Sequence, residues 1–120
     1  MDRKARIRDY RESRRPIGVF QVRNMANGKR LVGKSTDLPA MLNRQRWQLS
    51  MGMHTNVTLQ QEWNEYGENA FVFEVLDVLT VPEQPGYDPT DDLRALEEIW
   101  LDKLRPFGDR GYNTGPKRPS

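Results

Sequence analysis

Cysteine is absent from the 120 residues of this chain, and His54 is its one histidine. Without cysteine, neither a disulfide framework nor a thiolate metal site can form, and one histidine cannot supply the nitrogen and sulfur ligands that zinc usually takes. An apolar run of about 18 residues, long enough to cross a bilayer, is also missing. We therefore expect a soluble protein of a reducing compartment, the cytoplasm, with no membrane partner.

Three sequence motifs of common enzyme classes are missing as well. The chain has no Gly-rich phosphate loop, no G-x-S-x-G and no H-E-x-x-H. Their absence argues against P-loop nucleotide hydrolases, α/β-hydrolase esterases and zinc metalloproteases. Any metal site would have to hold a hard divalent ion, such as Mg²⁺ or Mn²⁺, on carboxylate and water oxygens.

The charge of the chain is strongly asymmetric, although the net charge is only +2. Residues 1–49 carry 13 Lys and Arg against 4 Asp and Glu, whereas residues 50–120 carry 6 against 13. A basic half is typical of proteins that bind a polyanion, because Lys and Arg contacts to phosphates release counterions. The alternative is a charge-rich, solvated surface without a partner.

The composition divides the chain into three segments. We expect residues 1–16 to form a basic arm or helix, residues 17–113 a single domain, and residues 114–120 a disordered tail. The length suits one domain and leaves little room for a second.

The predicted strands come from alternating or continuous β-type residues. Residues 17–23 and 31–33 flank Asn27-Gly28, a pair that favours a tight hairpin turn, so they are predicted to form an antiparallel hairpin. Residues 71–79 are the most β-like stretch and are expected to form the central or most buried strand.

Three helices are predicted from start and stop signals. The first spans residues 38–50, the second begins at Thr55 or Asn56 and ends at Gly67, and the third spans residues 92–104. In the second helix the residues at core spacing are Leu59, Trp63 and Tyr66. The sequence therefore predicts an α+β domain.

Glu97 is the carboxylate that stands out on the third helix. At about 100° per residue it falls within the apolar stripe, which contains Leu93, Leu96, Trp100 and Leu104. A buried carboxylate is costly unless it is paired or binds a metal, so Glu97 is a candidate site residue. The alternative is a carboxylate at the stripe's edge that reaches water or pairs with an arginine.

His54 lies in a predicted turn between the first two helices. A loop histidine is most often simply solvated. As a neutral imidazole it could also position or protonate a phosphate oxygen.

The order of motifs resembles the GIY-YIG nuclease-domain family over residues 17–113. The matching residues are Gly18-Val19-Phe20, Asn24, Asn27-Gly28-Lys29, Leu31-Val32-Gly33-Lys34-Ser35, Gly52-x-His54-x-Asn56-x-x-Leu59-Gln60-x-x-Trp63-Asn64-x-Tyr66-Gly67, residues 71–76, Leu96-Glu97-Glu98-x-Trp100 and Gly111-Tyr112-Asn113. This resemblance implies a small three-stranded antiparallel sheet flanked by helices.

The resemblance also implies site residues. The matches are Gly33, His54, a metal-binding glutamate at Glu97 and an asparagine at Asn113, with one divalent ion, Mg²⁺ or Mn²⁺, as the cofactor. The family's two motif tyrosines are replaced by Phe20 and Leu31, its phosphate-contacting arginine falls on Met41, and a nearby histidine-like position falls on Gln45. Arg44, one turn beyond Met41, is the candidate substitute. The catalytic set is therefore Arg44, His54, Glu97 and Asn113, which are expected to converge near Gly33 in a pocket that Phe20 and Leu31 line.

Substrate binding is assigned to Gly33 and to basic residues of the first half. These are Arg23, Lys29, Arg30, Lys34 and Arg46, which with the arm and Arg44 are expected to form one continuous face. DNA, or alternatively RNA, is the expected partner, and the oligomeric state stays open. The function that the resemblance implies is a metal-dependent endonuclease, and we expect its activity to be weakened or altered because both tyrosines are lost. The alternatives are a catalytically inactive nucleic-acid-binding module and a protein-interaction domain.

Overall fold

Residues 15–115, the part of the chain that the computed structural model describes, form one three-stranded sheet flanked by helices. The strands are β1 (Gly18–Asn24), β2 (Arg30–Ser35) and β3 (Phe71–Val78), in the antiparallel order β2-β1-β3. The helices are α1 (Leu38–Ser50), α2 (Val57–Tyr66) and α3 (Thr90–Leu104), with short 3₁₀ helices at Glu68–Ala70 and Gly108–Arg110. This compact single domain confirms the predicted fold class.

The hairpin between β1 and β2 forms as the Asn27-Gly28 pair predicts. Gly28 adopts a φ of 80°, a left-handed conformation that glycine reaches without strain. The Asn27 side chain accepts a hydrogen bond from the Lys29 backbone N–H at 3.0 Å. The turn thus sets the register in which Phe20 pairs with Gly33.

The central strand is β1, so the prediction that residues 71–79 lie at the centre is wrong. β1 pairs with a strand on each side, and Val19 and Val22 are fully buried. β3 has one neighbour among the described strands, and Val75 and Val78 are 44% and 52% exposed. Strand order decides this burial, and apolar composition alone cannot reveal strand order.

α1 and α2 begin near the predicted residues because side chains cap them, whereas Pro89, the residue that precedes α3, provides no side-chain cap. Asp37 accepts from the Ala40 N–H at 3.2 Å, and Asn56 accepts from the Leu59 N–H at 3.0 Å. Gly67, with a φ of 86°, ends α2. α3 begins at Thr90, two residues before the predicted start.

The two faces of the sheet are covered by different helices. On the α1–α2 face, β1 contributes Phe20 and Val22 to a core whose other buried members are Leu38, Leu49, Leu59, Trp63, Phe71 and Tyr112. On the α3 face, buried Val19 and Val32 lie beneath α3 with buried Leu93. Tyr66, which was expected in the core, is 44% exposed, so that prediction is wrong.

Both predicted terminal segments fall almost entirely outside the described residues. The arm of residues 1–16 and the tail of residues 114–120 therefore stay predictions. Within residues 15–115, no helix has the length and apolar character needed to cross a bilayer.

Candidate active site

Gly33 lies directly against the ring of Phe20. A Cβ atom added at Gly33 would approach the ring carbon Cζ to 2.8 Å, closer than two carbon atoms can stand. Phe20 is only 3% exposed, and Leu31 packs against the same core. Phe20 and Leu31 thus occupy the family's tyrosine positions as hydrophobic core residues.

A surface groove of about 360 Å³ opens where β2 ends. Its lining residues are Lys34, Ser35, Thr36, Met41, Pro89, Thr90 and Leu93. We call it the β2–α3 groove. Phe20 and Leu31 are not part of its lining, so the prediction that they line the same pocket as the site residues is wrong: the alternation of β1 and β2 turns them toward the α1–α2 core.

Glu97 lies one helical turn beyond Leu93 and is paired with Lys34. The Lys34 Nζ atom donates to Glu97 Oε1 at 3.1 Å. The Glu97 side chain is 18% exposed and that of Lys34 is 42% exposed. The carboxylate is therefore shielded, as its position in the apolar stripe suggests, and its partner is a lysine rather than an arginine.

His54 is held in a hydrogen-bonded turn. Its Nδ1 atom accepts from the Asn56 N–H at 3.0 Å, and Nε2 lies 2.5 Å from Gln45 Oε1. These partners define a neutral ring that carries its proton on Nε2. Partial burial lowers the pKa of His54, because it disfavours the charged imidazolium.

The interactions of His54 continue through Gln45 to the groove. Gln45 Nε2 lies 3.4 Å from the sulfur of Met41, which lines the β2–α3 groove. Since Gln45 and Asn56 use both ring nitrogens, His54 contributes to the groove by positioning Gln45 and Met41.

Arg44 does not reach the β2–α3 groove. It is exposed on α1, whereas Met41 forms part of the groove wall. The structure therefore places a thioether where the family's guanidinium is expected, and it does not bring Arg44 to the other site residues.

Asn113 secures the outer edge of β2. Its amide oxygen accepts from the Val32 N–H and its amide nitrogen donates to the Val32 carbonyl, each at 2.8 Å. These two bonds imitate a neighbouring strand. Asn113 thus binds Val32, the residue before Gly33, and Glu97 binds Lys34, the residue after Gly33.

The basic residues are distributed over different surfaces, so the expectation of one continuous face is wrong. Arg23 and Arg30 are direct cross-strand partners on the α3 face, which Lys34 shares. The Arg46 guanidinium lies 4.8 Å from the centre of the Phe73 ring on the other face. Lys29 pairs with Glu62 at 3.1 Å.

Glu62 is the polar centre that the sequence did not reveal. Its carboxylate accepts from the Tyr112 hydroxyl at 2.7 Å, and further donors are Asn24 Nδ2, Asn27 Nδ2 and Lys29 Nζ. Burial alone would raise the pKa of Glu62, but the bonds donated by Tyr112, Asn27 and Lys29 outweigh it and lower that pKa. Burial and Glu62 together raise the pKa of the Tyr112 phenol.

The donor set for a metal ion is small. Among residues 15–115, no three His, Cys, Asp or Glu side chains cluster as a metal site would require. Mg²⁺ commonly uses one or two carboxylates and completes its shell with water and substrate phosphates. Glu97 therefore fits an ion that binds together with a phosphate, and it does not fit a permanently enclosed metal.

No model of a protein family matches the chain. The chain is 29% identical over 96 residues to Intron-associated endonuclease 1 of Enterobacteria phage T4. The matched region covers 80% of this chain and 36% of that protein's length. The chain therefore spans little more than a third of that relative.

Two solved structures match this chain over most of its length and over nearly all of their own. The catalytic domain of homing endonuclease I-TevI matches with a TM-score of 0.66 and 26% identity, over 83% of this chain and 99% of that domain. A mutant of the same domain matches with a TM-score of 0.65 over 82% and 92% of the two chains. Fold and sequence similarity together define a nuclease-type catalytic domain. These similarities support membership of the GIY-YIG nuclease family.

Proposed function

We propose that this chain is a DNA endonuclease that depends on a divalent metal ion, Mg²⁺ or Mn²⁺, and cleaves slowly at the β2–α3 groove. Glu97 is the observation that supports this most directly. Its carboxylate is 18% exposed on an apolar helix face, and it lies beside a groove that also contains a lysine. A carboxylate at the edge of an open groove can serve as one of the one or two protein ligands that Mg²⁺ commonly takes. The similarity to endonucleases supports the same reaction class.

The groove and the α3 residue beside it offer two groups to a scissile phosphate. Glu97 would hold the divalent ion, which supplies charge stabilisation at the phosphate when it is bound. Lys34 would leave Glu97, because its positive charge is repelled by the ion, and would donate to a phosphate oxygen instead. Its 42% exposed side chain is free to make that change.

Slow cleavage follows from the groups that the groove lacks. Phe20 and Leu31 cannot donate or accept hydrogen bonds, so they cannot orient a water molecule. Met41 has no charge with which to offset a phosphorane-like transition state. Losing one such group commonly lowers a rate by about 10²–10⁴.

A nucleic-acid-binding module without catalysis is the second candidate. It is favoured by the Lys34–Glu97 contact, which already neutralises the carboxylate without a metal. In that case Arg23, Arg30 and Lys34 would contact phosphates while no bond is broken.

Cleavage assays with a matched pair of variants distinguish the candidates. Labelled duplex, branched and single-stranded DNA, and RNA of the same sequence, are incubated with Mg²⁺, Mn²⁺ or EDTA. We expect slow, EDTA-sensitive cleavage of DNA that falls at least about 10²-fold in Glu97→Gln. Glu98→Gln changes an exposed carboxylate on the same helix and should cleave like wild type.

Two results would replace the proposal. Tight binding with no cleavage in either metal would establish the second candidate. No binding of any nucleic acid at about 50 mM salt would exclude both, and it would leave the protein-interaction domain.

A further inference from the structure

Trp47 is an exposed tryptophan on the outer side of α1. It is 55% exposed, and no aromatic or cation–π contact engages its ring within residues 15–115. Met51, one helical turn later, is 57% exposed. Tryptophan is buried to a large extent in most folded proteins, and neighbouring exposed apolar side chains mark interaction surfaces. Trp47 and Met51 are therefore candidates for contact with a partner.

This exposed part of α1 begins at the wall of the β2–α3 groove. Met41 lines that groove, and Arg44 follows it three residues later. Trp47 and Met51 follow Arg44 by three and seven residues, intervals at which side chains are neighbours on a helix surface. Arg44, Trp47 and Met51 are all exposed. We call these three residues the α1 surface.

The α1 surface lies in a part of the chain that is almost free of negative charge. Between Glu12 and Glu62 the only acidic residue is Asp37, which caps the first turn of α1. Arg44 has no carboxylate within ion-pair distance among residues 15–115. The α1 surface therefore offers an unpaired guanidinium and two apolar side chains, without a carboxylate of its own helix to repel a polyanion.

The location of the α1 surface favours DNA over a protein partner. Arginine, tryptophan and methionine are enriched in protein interfaces too, so composition alone does not decide. Arg44 lies only about 4.5 Å along the helix axis from Met41 in the groove wall. A DNA duplex carries one negative charge about every 1.7 Å of its axis. A duplex with one phosphate beside Lys34 therefore has further phosphates within reach of Arg44.

We propose that the α1 surface contacts duplex DNA beside the phosphate that lies in the β2–α3 groove. This inference rests on the proposed function, which assigns that phosphate to the groove. Arg44 donates to a neighbouring phosphate oxygen, and Trp47 and Met51 pack against the sugars next to it. These contacts involve no base edge, so they position the duplex without reading its sequence.

Acrylamide quenching of tryptophan fluorescence tests whether DNA covers Trp47. Acrylamide quenches exposed indoles, and Trp47 is far more exposed than Trp63, which is buried in the core. Wild type and Trp47→Phe are titrated with acrylamide, with and without duplex DNA, in EDTA at about 50 mM salt. We expect duplex DNA to abolish most of the quenching that is present in wild type and absent from Trp47→Phe.

Duplex affinity under the same conditions measures the individual contacts. We expect Arg44→Gln and Trp47→Ala each to weaken duplex binding about 5-fold or more. Arg46→Gln removes the same charge from the side of α1 that faces Phe73, and Tyr66→Ala removes an exposed ring from α2. Both of these matched controls should bind like wild type. Urea midpoints verify that all four variants, which change exposed residues, stay folded.

The results separate this inference from the proposed function. If Trp47 stays fully quenchable in a complex with duplex DNA, the inference is wrong, whereas cleavage that depends on Glu97 would still support the function. Protection of Trp47 by DNA without any cleavage would support the inference and contradict only the catalytic step. Absence of DNA binding would overturn both.

Two further results would also overturn the inference. Equal losses of affinity in Arg44→Gln and Arg46→Gln would mean that net charge, rather than the α1 surface, determines binding. Protection of Trp47 when the protein alone is concentrated would show that a second copy of the chain, rather than DNA, covers the α1 surface.

Discussion

At the scale of single residues, the Phe20 ring leaves no room for a side chain at Gly33. Since a Cβ would come within 2.8 Å of Phe20 Cζ, Gly33→Ala must shift a buried ring. We expect Gly33→Ala to lower the free energy of unfolding by about 1–3 kcal/mol. Urea denaturation followed by tryptophan fluorescence measures this change.

Two further variants test whether the contact between the added Cβ and the Phe20 ring causes the loss of stability. A Cβ at Gly115 would meet nothing within 4 Å, so Gly115→Ala should leave stability unchanged. Phe20→Leu removes the ring that blocks Cβ, and it should therefore reduce the additional cost of Gly33→Ala in the double variant. If the two substitutions simply add, the contact between ring and Cβ is not the reason.

His54 should make stability depend on pH. Its pKa is lowered from 6.5 by burial, and its ring partners Gln45 and Asn56 are neutral. The unfolded state therefore binds the proton more readily, so stability falls as pH drops below 6.5 and levels off below the folded-state pKa. We expect urea midpoints between pH 7.5 and pH 5 to decrease more in wild type than in His54→Gln. Parallel pH profiles for the two proteins would contradict this role.

At the scale of the elements, Glu62 joins three parts of the fold. From α2 it contacts Asn24 and Lys29 of the hairpin and Tyr112 near the end of the domain. We expect Glu62→Gln to lower the free energy of unfolding by about 1–3 kcal/mol, because it removes charge-assisted hydrogen bonds from a side chain that is 13% exposed.

Glu65 provides the matched control for that substitution. It is exposed on the same helix, so Glu65→Gln should change the urea midpoint little. Equal midpoints for Glu62→Gln and Glu65→Gln would show that the network does not hold the hairpin to α2.

The elements themselves were accessible from local sequence signals. Asn27-Gly28 identified the hairpin, and Asp37 and Asn56 identified two helix starts, because turns and caps depend on neighbouring residues. The order of the strands depends on contacts between distant segments. Local composition therefore favoured the wrong central strand.

The candidate site was likewise predictable only where neighbouring residues carry the signal. The position of Glu97 in an apolar stripe indicated a shielded carboxylate, and its exposure of 18% agrees. Its partner Lys34 is 63 residues away, and the bonds of Glu62 span 33 to 50 residues. No periodicity connects such residues, so only the folded chain reveals which side chains meet.

At the scale of the whole molecule, the excess of basic residues in the first half is reduced by the fold. Lys29 and Lys34 are paired with Glu62 and Glu97, respectively. Arg23 and Arg30 face each other across β1 and β2 without an ion pair in residues 15–115. Like charges at such positions are unfavourable, so an anion between them would relieve the repulsion.

The salt dependence of DNA binding tests that arrangement. If the protein contacts four to eight phosphates, duplex affinity should fall by about 10²–10⁴ between about 50 and 200 mM salt. Arg30→Gln should reduce the slope of log K against log salt concentration by about one, because one phosphate contact is lost. Arg94→Gln is the control, since Arg94 is exposed and lies 3.7 Å from Asp91 on α3, and its slope should equal that of wild type. Equal reductions in both variants would mean that net charge, rather than the Arg23–Arg30 pair, determines binding. An unchanged slope in Arg30→Gln would place the DNA on another surface.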